Sequence, residues 1–219
     1  MTELIAGFEG FAEVHPLLPQ LQGGGMLTQG ALAVIYETDL LFREITGMAS
    51  FTAQPMAGAH GELTGIMMIA AYHQKKGNTH KTTILIPDSS HGTNPSTAAV
   101  AGYKTKTVPS DENGVMNLDA LKDAIDESVA GLMLTCPNTL GIFNPHIEEI
   151  CDLVHSVDGI TYYDGANLNA ILGKVRPGDI GFDIVHLNVH APHQLAGIRA
   201  RAFGGGLDID QLCIGAVAL

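Results

Sequence analysis

The sequence predicts an α/β protein with a mainly parallel sheet covered by helices on both faces. Apolar residues with helical spacing alternate repeatedly with short strand-forming runs along the chain. Hydrophobic residues make up 46% of the chain and charged residues 16%, which is typical of a well-buried globular protein. Because strands that alternate with helices pair mostly in parallel, both faces of the sheet should be covered.

The expected elements follow in a regular order. Residues 26–46 have helical spacing and Gly47 can end that helix, while residues 51–54 form a short strand candidate. A long apolar helix is expected at 63–73, ending near Gly77. Further strands are expected at 82–87, 104–108, 131–135, 160–163 and 182–188, with helices at 94–103, 118–126 and 146–157.

Charge and composition exclude several classes of partner. The net charge is −12 with only 11 Lys plus Arg, and no basic cluster could follow a phosphate backbone, so nucleic acid is not expected as a partner. No apolar run reaches membrane-spanning length and no secretory signal is evident, so we expect no membrane association. A cytoplasmic location is expected, or the mitochondrial matrix if the source is a eukaryote.

The cysteines and histidines predict no metal site. Cys136, Cys151 and Cys213 are odd in number and widely spaced, which favours buried thiols over disulfides or zinc ligands. His186 and His190 are four residues apart, but the segment has a strand pattern and the spacing matches no metal signature.

Four loops carry polar or small residues beyond what a turn requires: residues 57–62, 88–95, 135–141 and the loop at Asp164. Asp164 follows the strand at 160–163, at the sheet edge where ligands bind in open α/β proteins. Alternatively, Asp164 caps a following helix. Small residues at 57–62 can hold an anion at a helix N-terminus, although this loop alone favours an ordinary tight turn.

Together these loops resemble those of pyridoxal phosphate enzymes of the aspartate aminotransferase fold. Five sets of strings are similar to glycine dehydrogenase (decarboxylating), the P protein of the glycine cleavage system, in its C-terminal half or separate second subunit. They are Glu-Ile-Thr-Gly at 44–47, Gln-Pro at 54–55 with Ala-Gly-Ala-x-Gly-Glu at 57–62, His-Gly-Thr-Asn-Pro at 91–95, Pro-Asn-Thr at 137–139, and Tyr-Asp-Gly-Ala-Asn-Leu-Asn at 163–169 with Phe-Asp-Ile-Val-His-Leu-Asn at 182–188.

The resemblance implies a set of cofactor contacts. Asp164 matches the residue that pairs with the pyridine nitrogen and keeps it protonated. His91 matches the residue whose ring lies over the cofactor, and the backbone near His60 would hold the phosphate, although the family commonly has another polar residue there. The full set of cofactor-binding residues is Gly58, Ala59, His60, His91, Asp164, Ala166 and His190.

The resemblance also implies a reaction and partners. The family decarboxylates glycine and passes the aminomethyl group to the lipoyl arm of the H protein. A second P-protein subunit or half is the other expected partner, and the folded protein is expected to be an oligomer.

One departure from the family lies at the centre of the chemistry. The family's cofactor-binding lysine follows the position of His190, where this chain has Ala191. Without that amine the chain cannot link covalently to the cofactor. Lys174 lies on a different loop and is a poor substitute. We therefore expect no catalytic residue, weak non-covalent cofactor binding at most, and no activity by the chain alone.

The expected organisation has three parts. Residues 1–36 form an N-terminal segment of uncertain structure, residues 37–190 the cofactor-binding large domain, and residues 191–219 a divergent tail. A frameshift, a truncation or genuine divergence would each explain the tail, and the fold's small C-terminal domain is expected to be missing.

The alternative to an inactive P-protein relative is a non-catalytic remnant that binds the cofactor weakly or pairs with a complete subunit. An unrelated α/β binding protein is a third possibility.

Overall fold

The computed structural model of the protein describes residues 29–55, 57–166, 168–187 and 216–218. Its five α-helices in these ranges are α1 (Gln29–Thr46), α2 (Gly58–Lys76), α3 (Thr93–Val100), α4 (Leu118–Ala124) and α5 (Ile147–His155). The strands are β1 (Phe51–Thr52), β2 (Thr83–Pro87), β3 (Lys104–Val108), β4 (Val129–Leu134), β5 (Ile160–Gly165), β6 (Ile184–Leu187) and β7 (Ala216–Ala218). Short 3₁₀ helices span Leu168–Ala170 and Pro177–Ile180.

The strands form a single mixed sheet with the order β1-β7-β6-β5-β4-β2-β3. Strands β3, β2, β4, β5 and β6 are parallel to their neighbours, whereas β7 is antiparallel to both β6 and β1. In the β5–β6 pair, Asp164 lies opposite His186. The prediction of a mainly parallel sheet is confirmed.

Helices pack on both faces of this sheet. On one face, Ile66 and Ile69 of α2 belong to a buried cluster with strand residues that include Tyr162. On the other face, the hydroxyl of Thr161 lies 3.4 Å from Nε2 of His155 at the end of α5. Because neighbouring residues of a strand point to opposite faces, Tyr162 and Thr161 show that α2 and α5 lie on opposite sides of the sheet.

Most predicted elements are present, with shifted ends. Gly47 and Gly77 both have left-handed φ angles and end α1 and α2 as expected. Helix α2 begins at Gly58 and not at residue 63, because the intrinsically poor helix formers Gly58 and Gly61 form part of a helix that packs against the sheet. The sequence pattern therefore placed the beginning of this helix too late.

The segment after β5 differs from one expectation. Asp164 lies within β5, and the next helical segment is a short 3₁₀ helix at Leu168–Ala170. The Asp164 side chain accepts a hydrogen bond from the backbone N–H of Ala166 at 3.1 Å, which forms a local turn. It does not cap an α-helix in the described part of the chain.

The described residues divide between two compact units. Residues of α1 through Phe42 belong to one unit, and the sheet with the remaining helices belongs to the other, which begins at Arg43. The domain limits expected from the sequence remain predictions. None of the helices in the described ranges combines the length and the apolar character needed to cross a membrane.

Candidate functional site

A cavity of about 410 Å³ lies at the carboxyl edge of the parallel strands. All four loops predicted from the sequence contribute to its wall. The lining residues are Gly58, Ala59, Glu62, His91, Thr93, Thr135, Pro137, Asn138, Thr139, Gly141, Asp164, Ala166 and His186. The loops come together because the carboxyl ends of neighbouring parallel strands lie at the same edge of a sheet.

Five of the seven residues predicted to bind a cofactor line this cavity: Gly58, Ala59, His91, Asp164 and Ala166. His60 is exposed and is not among the lining residues. His190 lies outside the described residues. The structure therefore brings the expected acidic residue and His91 to the same cavity, while their roles toward a cofactor remain predictions.

The beginning of α2 lies at the cavity, with Gly58 and Ala59 in its wall. The first backbone hydrogen bond of the helix runs from the N–H of Gly61 to the carbonyl of Ala57 at 3.0 Å. The N–H groups of residues 58–60 precede it and have no partner within the helix. Ala57 is extended and has no capping side chain. This end of α2 is thus suited to an anion such as a phosphate.

Asp164 is the buried acid at the centre of the site, with 4% of its surface exposed. Its Oδ1 accepts the Ala166 N–H and lies 3.4 Å from Nε2 of His186. Both contacts use Oδ1, so Oδ2 has no hydrogen-bond partner among the described residues. A carboxylate in this state can accept a hydrogen bond from a ligand in the cavity.

Glu62 is a second buried carboxylate, which the sequence analysis did not assign to the site. It accepts hydrogen bonds from the hydroxyl groups of Thr93 at 2.6 Å and Thr97 at 3.0 Å. The same Thr93 hydroxyl lies 2.7 Å from Nδ1 of His91. Glu62 thereby connects the beginning of α2 to the histidine loop. An acidic residue beside the small residues of the 57–62 loop is the sequence feature that could have indicated it.

His186 is the other buried group that was missed. Its exposed fraction is 1%, and burial lowers the pKa of its imidazole, although the nearby Asp164 and Glu62 partly oppose that effect. In the sequence, His186 stands out as half of a possible zinc pair with His190 and as part of the string at 182–188, and neither pattern assigns it to the cofactor site. Its position in β6 beside Asp164 depends on strand pairing, which the sequence pattern does not specify.

The negative charge of the cavity favours a cationic ligand. A carboxylate oxygen of Glu62, a carboxylate oxygen of Asp164 and a ring nitrogen of His186 lie within 4.8 Å of one another. The lining residues of the described part of the chain include no Lys or Arg. Because buried charges are costly when uncompensated, a cation such as a protonated ring nitrogen is suited to this end of the cavity.

Two side chains hold the loops around the cavity in place. The hydroxyl of Thr139 donates to the carbonyl of Ser89 at 2.7 Å, which joins the loops that follow β4 and β2. The Asn138 amide donates to the carbonyl of Gly114 at 2.7 Å. Within the described residues the buried Thr135 hydroxyl has no partner, and it lies in the cavity wall. It is therefore available to a polar ligand.

The comparison with family models identifies the family. Residues 60–199 match the model described as aminotransferase class-V. The chain belongs to this family. The matched residues include Ala191 and the eight residues that follow it.

Curated relatives make the resemblance more specific. A probable glycine dehydrogenase (decarboxylating) subunit 2 from Thermococcus onnurineus is 56% identical over 87% of this chain and 37% of its own length. The protein of the same name from Pyrococcus horikoshii is 53% identical over 93% of this chain and 40% of its own length. The resemblance to this P-protein subunit is confirmed. The chain spans about two-fifths of the length of these relatives.

Solved structures show the same fold. An inhibitor-bound glycine decarboxylase (P-protein) of the glycine cleavage system has a TM-score of 0.68 at 20% identity, covering 100% of this chain and 45% of its own. A sphingosine-1-phosphate lyase from Burkholderia pseudomallei has a TM-score of 0.68 at 14% identity, and the match covers 99% of this chain and 49% of the lyase chain. The predicted fold of pyridoxal phosphate enzymes is confirmed.

Proposed function

We propose that this chain holds pyridoxal phosphate non-covalently, as the cofactor-binding part of a glycine dehydrogenase (decarboxylating) second subunit, and that it does not decarboxylate glycine by itself. The observation that carries the proposal is the presence of a buried carboxylate, Asp164, and the open N-terminus of α2 in one cavity. These two features suit the two ends of the cofactor, and the family is pyridoxal phosphate-dependent.

The residues of the cavity fit the charges of the cofactor. The free N–H groups at the beginning of α2 would hold the phosphate, and the helix dipole would add to that attraction. Asp164 would accept the pyridine N–H through Oδ2 and stabilise its protonated form, while His91 would contact the ring. When bound, the protonated ring accepts the electron pair left on the substrate by a departing carboxylate.

The proposed loss of activity depends on position 191. The residue after His190 is Ala191, which has no amine to link to the cofactor aldehyde. Lys174 is exposed and is not among the residues that line the cavity. Glycine, the lipoyl H protein and a second P-protein subunit belong to the proposed activity of the complete enzyme, to which this chain would contribute its cofactor pocket.

Absorbance and borohydride trapping test this proposal. We expect the protein to bind pyridoxal phosphate with a spectral change that dialysis reverses, and to form no borohydride-stable adduct. The variant Ala191→Lys restores an amine at the family position and should give a trapped adduct on that residue. Mass spectrometry of the digested protein identifies the modified residue. A stable adduct on any lysine of the unaltered chain, or no binding at all, would contradict the proposal.

A second candidate function is pairing with a complete P-protein subunit. Large apolar side chains lie exposed along one side of α1, at Leu32, Ile35, Tyr36 and Leu40, with Ile35 and Tyr36 each 60% exposed. Exposed apolar patches of this kind often mark a protein interface. Size-exclusion chromatography with light scattering should show a complex with a complete subunit 2. The variant Ile35→Glu/Tyr36→Glu should abolish that complex, whereas Glu37→Gln should not.

A further inference from the structure

Tyr162, His186 and Asp164 form a continuous polar row on one face of the sheet. Tyr162 and Asp164 are two residues apart on β5 and therefore point to the same side, and His186 lies opposite Asp164 on β6. The Tyr162 hydroxyl is 2.5 Å from Nδ1 of His186, and Nε2 of His186 is 3.4 Å from Oδ1 of Asp164. The imidazole thus lies between a phenol and the predicted cofactor-binding carboxylate.

Helix α2 is shaped to leave room for these rings. A Cβ atom added to Gly61 would lie 3.1 Å from Cβ of His186. A Cβ atom added to Gly65, one helical turn later, would lie 2.3 Å from Cε2 of Tyr162. The two rings stack with centroids 5.8 Å apart and an angle of 24° between their planes. Only small residues on this side of α2 allow the helix to pack over both rings.

The surrounding charges indicate which nitrogen of His186 carries the proton. The groups that face it are Tyr162 and Asp164 from β5 and Glu62 from α2. Burial raises the pKa of Tyr162 well above its ordinary value, so the phenol stays protonated. A neutral imidazole with its proton on Nδ1 would direct the Nε2 lone pair at the Asp164 carboxylate, which is unfavourable. The phenol therefore donates to Nδ1, and the N–H on Nε2 points to Asp164.

We infer that Tyr162 and His186 are positioning residues that hold Asp164 through Oδ1 and leave Oδ2 to receive the ring N–H of the bound cofactor. This inference rests on the proposed function. The phenol fixes the imidazole tautomer, the Ala166 N–H donates to Oδ1 of the carboxylate, and Nε2 of the imidazole lies 3.4 Å from the same oxygen. A hydrogen-bonded partner behind a functional group is a common means of setting its orientation and protonation.

Nuclear magnetic resonance of the cofactor-free protein tests the tautomer. In the unaltered chain, the ¹⁵N shifts of His186 should show a protonated Nε2 and an Nδ1 that accepts a hydrogen bond. Tyr162→Phe should shift the Nδ1 signal and allow both tautomers, whereas Tyr103→Phe, whose phenol is not among the groups that act on His186, should not. A His186 spectrum that is the same in Tyr162→Phe as in the unaltered chain overturns the inference, whether or not the cofactor binds.

Pyridoxal phosphate labelled with ¹⁵N in its ring tests the consequence for the ligand. His186→Asn cannot place a donor where Nε2 lies, so the proton affinity of the bound ring nitrogen should fall about tenfold, which is one pKa unit. His186→Gln carries an amide near the Nε2 position and should restore most of it. Equal ring protonation in His186→Asn, His186→Gln and the unaltered chain overturns the inference. Failure of the unaltered chain to bind the cofactor contradicts the proposed function instead, and the tautomer result then decides the inference.

Discussion

Gly65 of α2 and Tyr162 of β5 are packed so closely that a Cβ atom on the glycine would lie 2.3 Å from the tyrosine ring. Tyr162 is fully buried. Neither the ring nor the helix can move far, because Ile66 and Ile69 of the same helix belong to the buried core of this face. This contact sets the distance between α2 and the sheet, and therefore the position of the helix end that lines the cavity.

Replacing this glycine should destabilise the protein. Gly65→Ala places a methyl group 2.3 Å from an edge carbon of the tyrosine ring, so we expect the free energy of unfolding to fall by about 1–3 kcal/mol, as for other overpacked cores. Gly92→Ala is a matched control, since no atom lies within 4 Å of a Cβ there and its φ is −61°. Urea denaturation measures both. Equal stability of the two variants would show that the helix shifts freely.

Asp158 should stabilise the turn before β5. It has a φ of 56°, accepts hydrogen bonds from Tyr72 at 2.8 Å and Asn78 at 3.0 Å, and forms an ion pair with Lys76 at 2.7 Å. Because its side chain is 43% exposed, we expect Asp158→Ala to cost about 1 kcal/mol or less from these contacts. Asp158→Gly should destabilise the protein less than Asp158→Ala, because glycine adopts a positive φ without steric strain. Thermal unfolding of both variants checks the order.

The same aspartate should contribute to acid sensitivity. The hydrogen bond from Lys76 is the main cause that lowers the pKa of Asp158 to about 2. A carboxylate with a lowered pKa stabilises the fold above its unfolded-state value and loses that effect as the pH falls toward the folded-state pKa. Stability should therefore decline between about pH 4 and pH 2 more steeply in the unaltered chain than in Asp158→Asn. An equal loss of stability between about pH 4 and pH 2 in the unaltered chain and in Asp158→Asn, measured by urea denaturation, would contradict this prediction.

Two buried histidines should make stability depend on pH in a higher range. Burial lowers the pKa of His73 and of His186, so the unfolded chain binds their protons more readily than the folded chain. Stability should therefore decrease as the pH falls below about 6.5, by up to about 1.4 kcal/mol per pH unit for each histidine. His73→Gln should reduce this slope, whereas Glu112→Gln, at an exposed position, should not. Urea denaturation from pH 7.5 to pH 5 measures it.

Two cysteines should be unreactive in the folded protein. Cys136 and Cys151 are free and buried, as expected from their spacing, while Cys213 lies outside the described residues. Burial raises the pKa of Cys136 to about 11 and that of Cys151 to about 12. Because the thiolate is the reactive form, neither should be alkylated at pH 8 until the protein unfolds. Mass spectrometry of labelled peptides checks this, and rapid native labelling of either residue would show that the core opens.

Asp164 should determine the affinity for pyridoxal phosphate. Asp164→Asn keeps the shape of the side chain but removes the charge that would stabilise a pyridinium, so we expect the dissociation constant to rise about tenfold to a hundredfold. Asp179→Asn is the control, since Asp179 is exposed and does not line the cavity. Absorbance titration measures both constants. Equal dissociation constants for Asp164→Asn and Asp179→Asn would show that the Asp164 charge does not act on the bound cofactor.

The local pattern of the chain was sufficient to predict the fold class and the loops of the site. Helical and strand spacing identified the elements, and the order of strands and helices implied that the loops after β2, β4 and β5 share one edge. That expectation needed only topology, since parallel strands end on the same side. The position of Asp164 after a β-prone run predicted its place in the cavity for the same reason.

The sequence by itself determined the alternating α/β order, the acidic residue at the sheet edge and the absence of an amine at Ala191, because each is a matter of residue type and local spacing. Only the tertiary structure decided that Glu62 turns into the cavity and that His186 contacts both Tyr162 and Asp164. Those contacts depend on the register of β5 against β6 and on the close packing of α2 through Gly61 and Gly65. Both are long-range relationships, and no short stretch of the chain contains them.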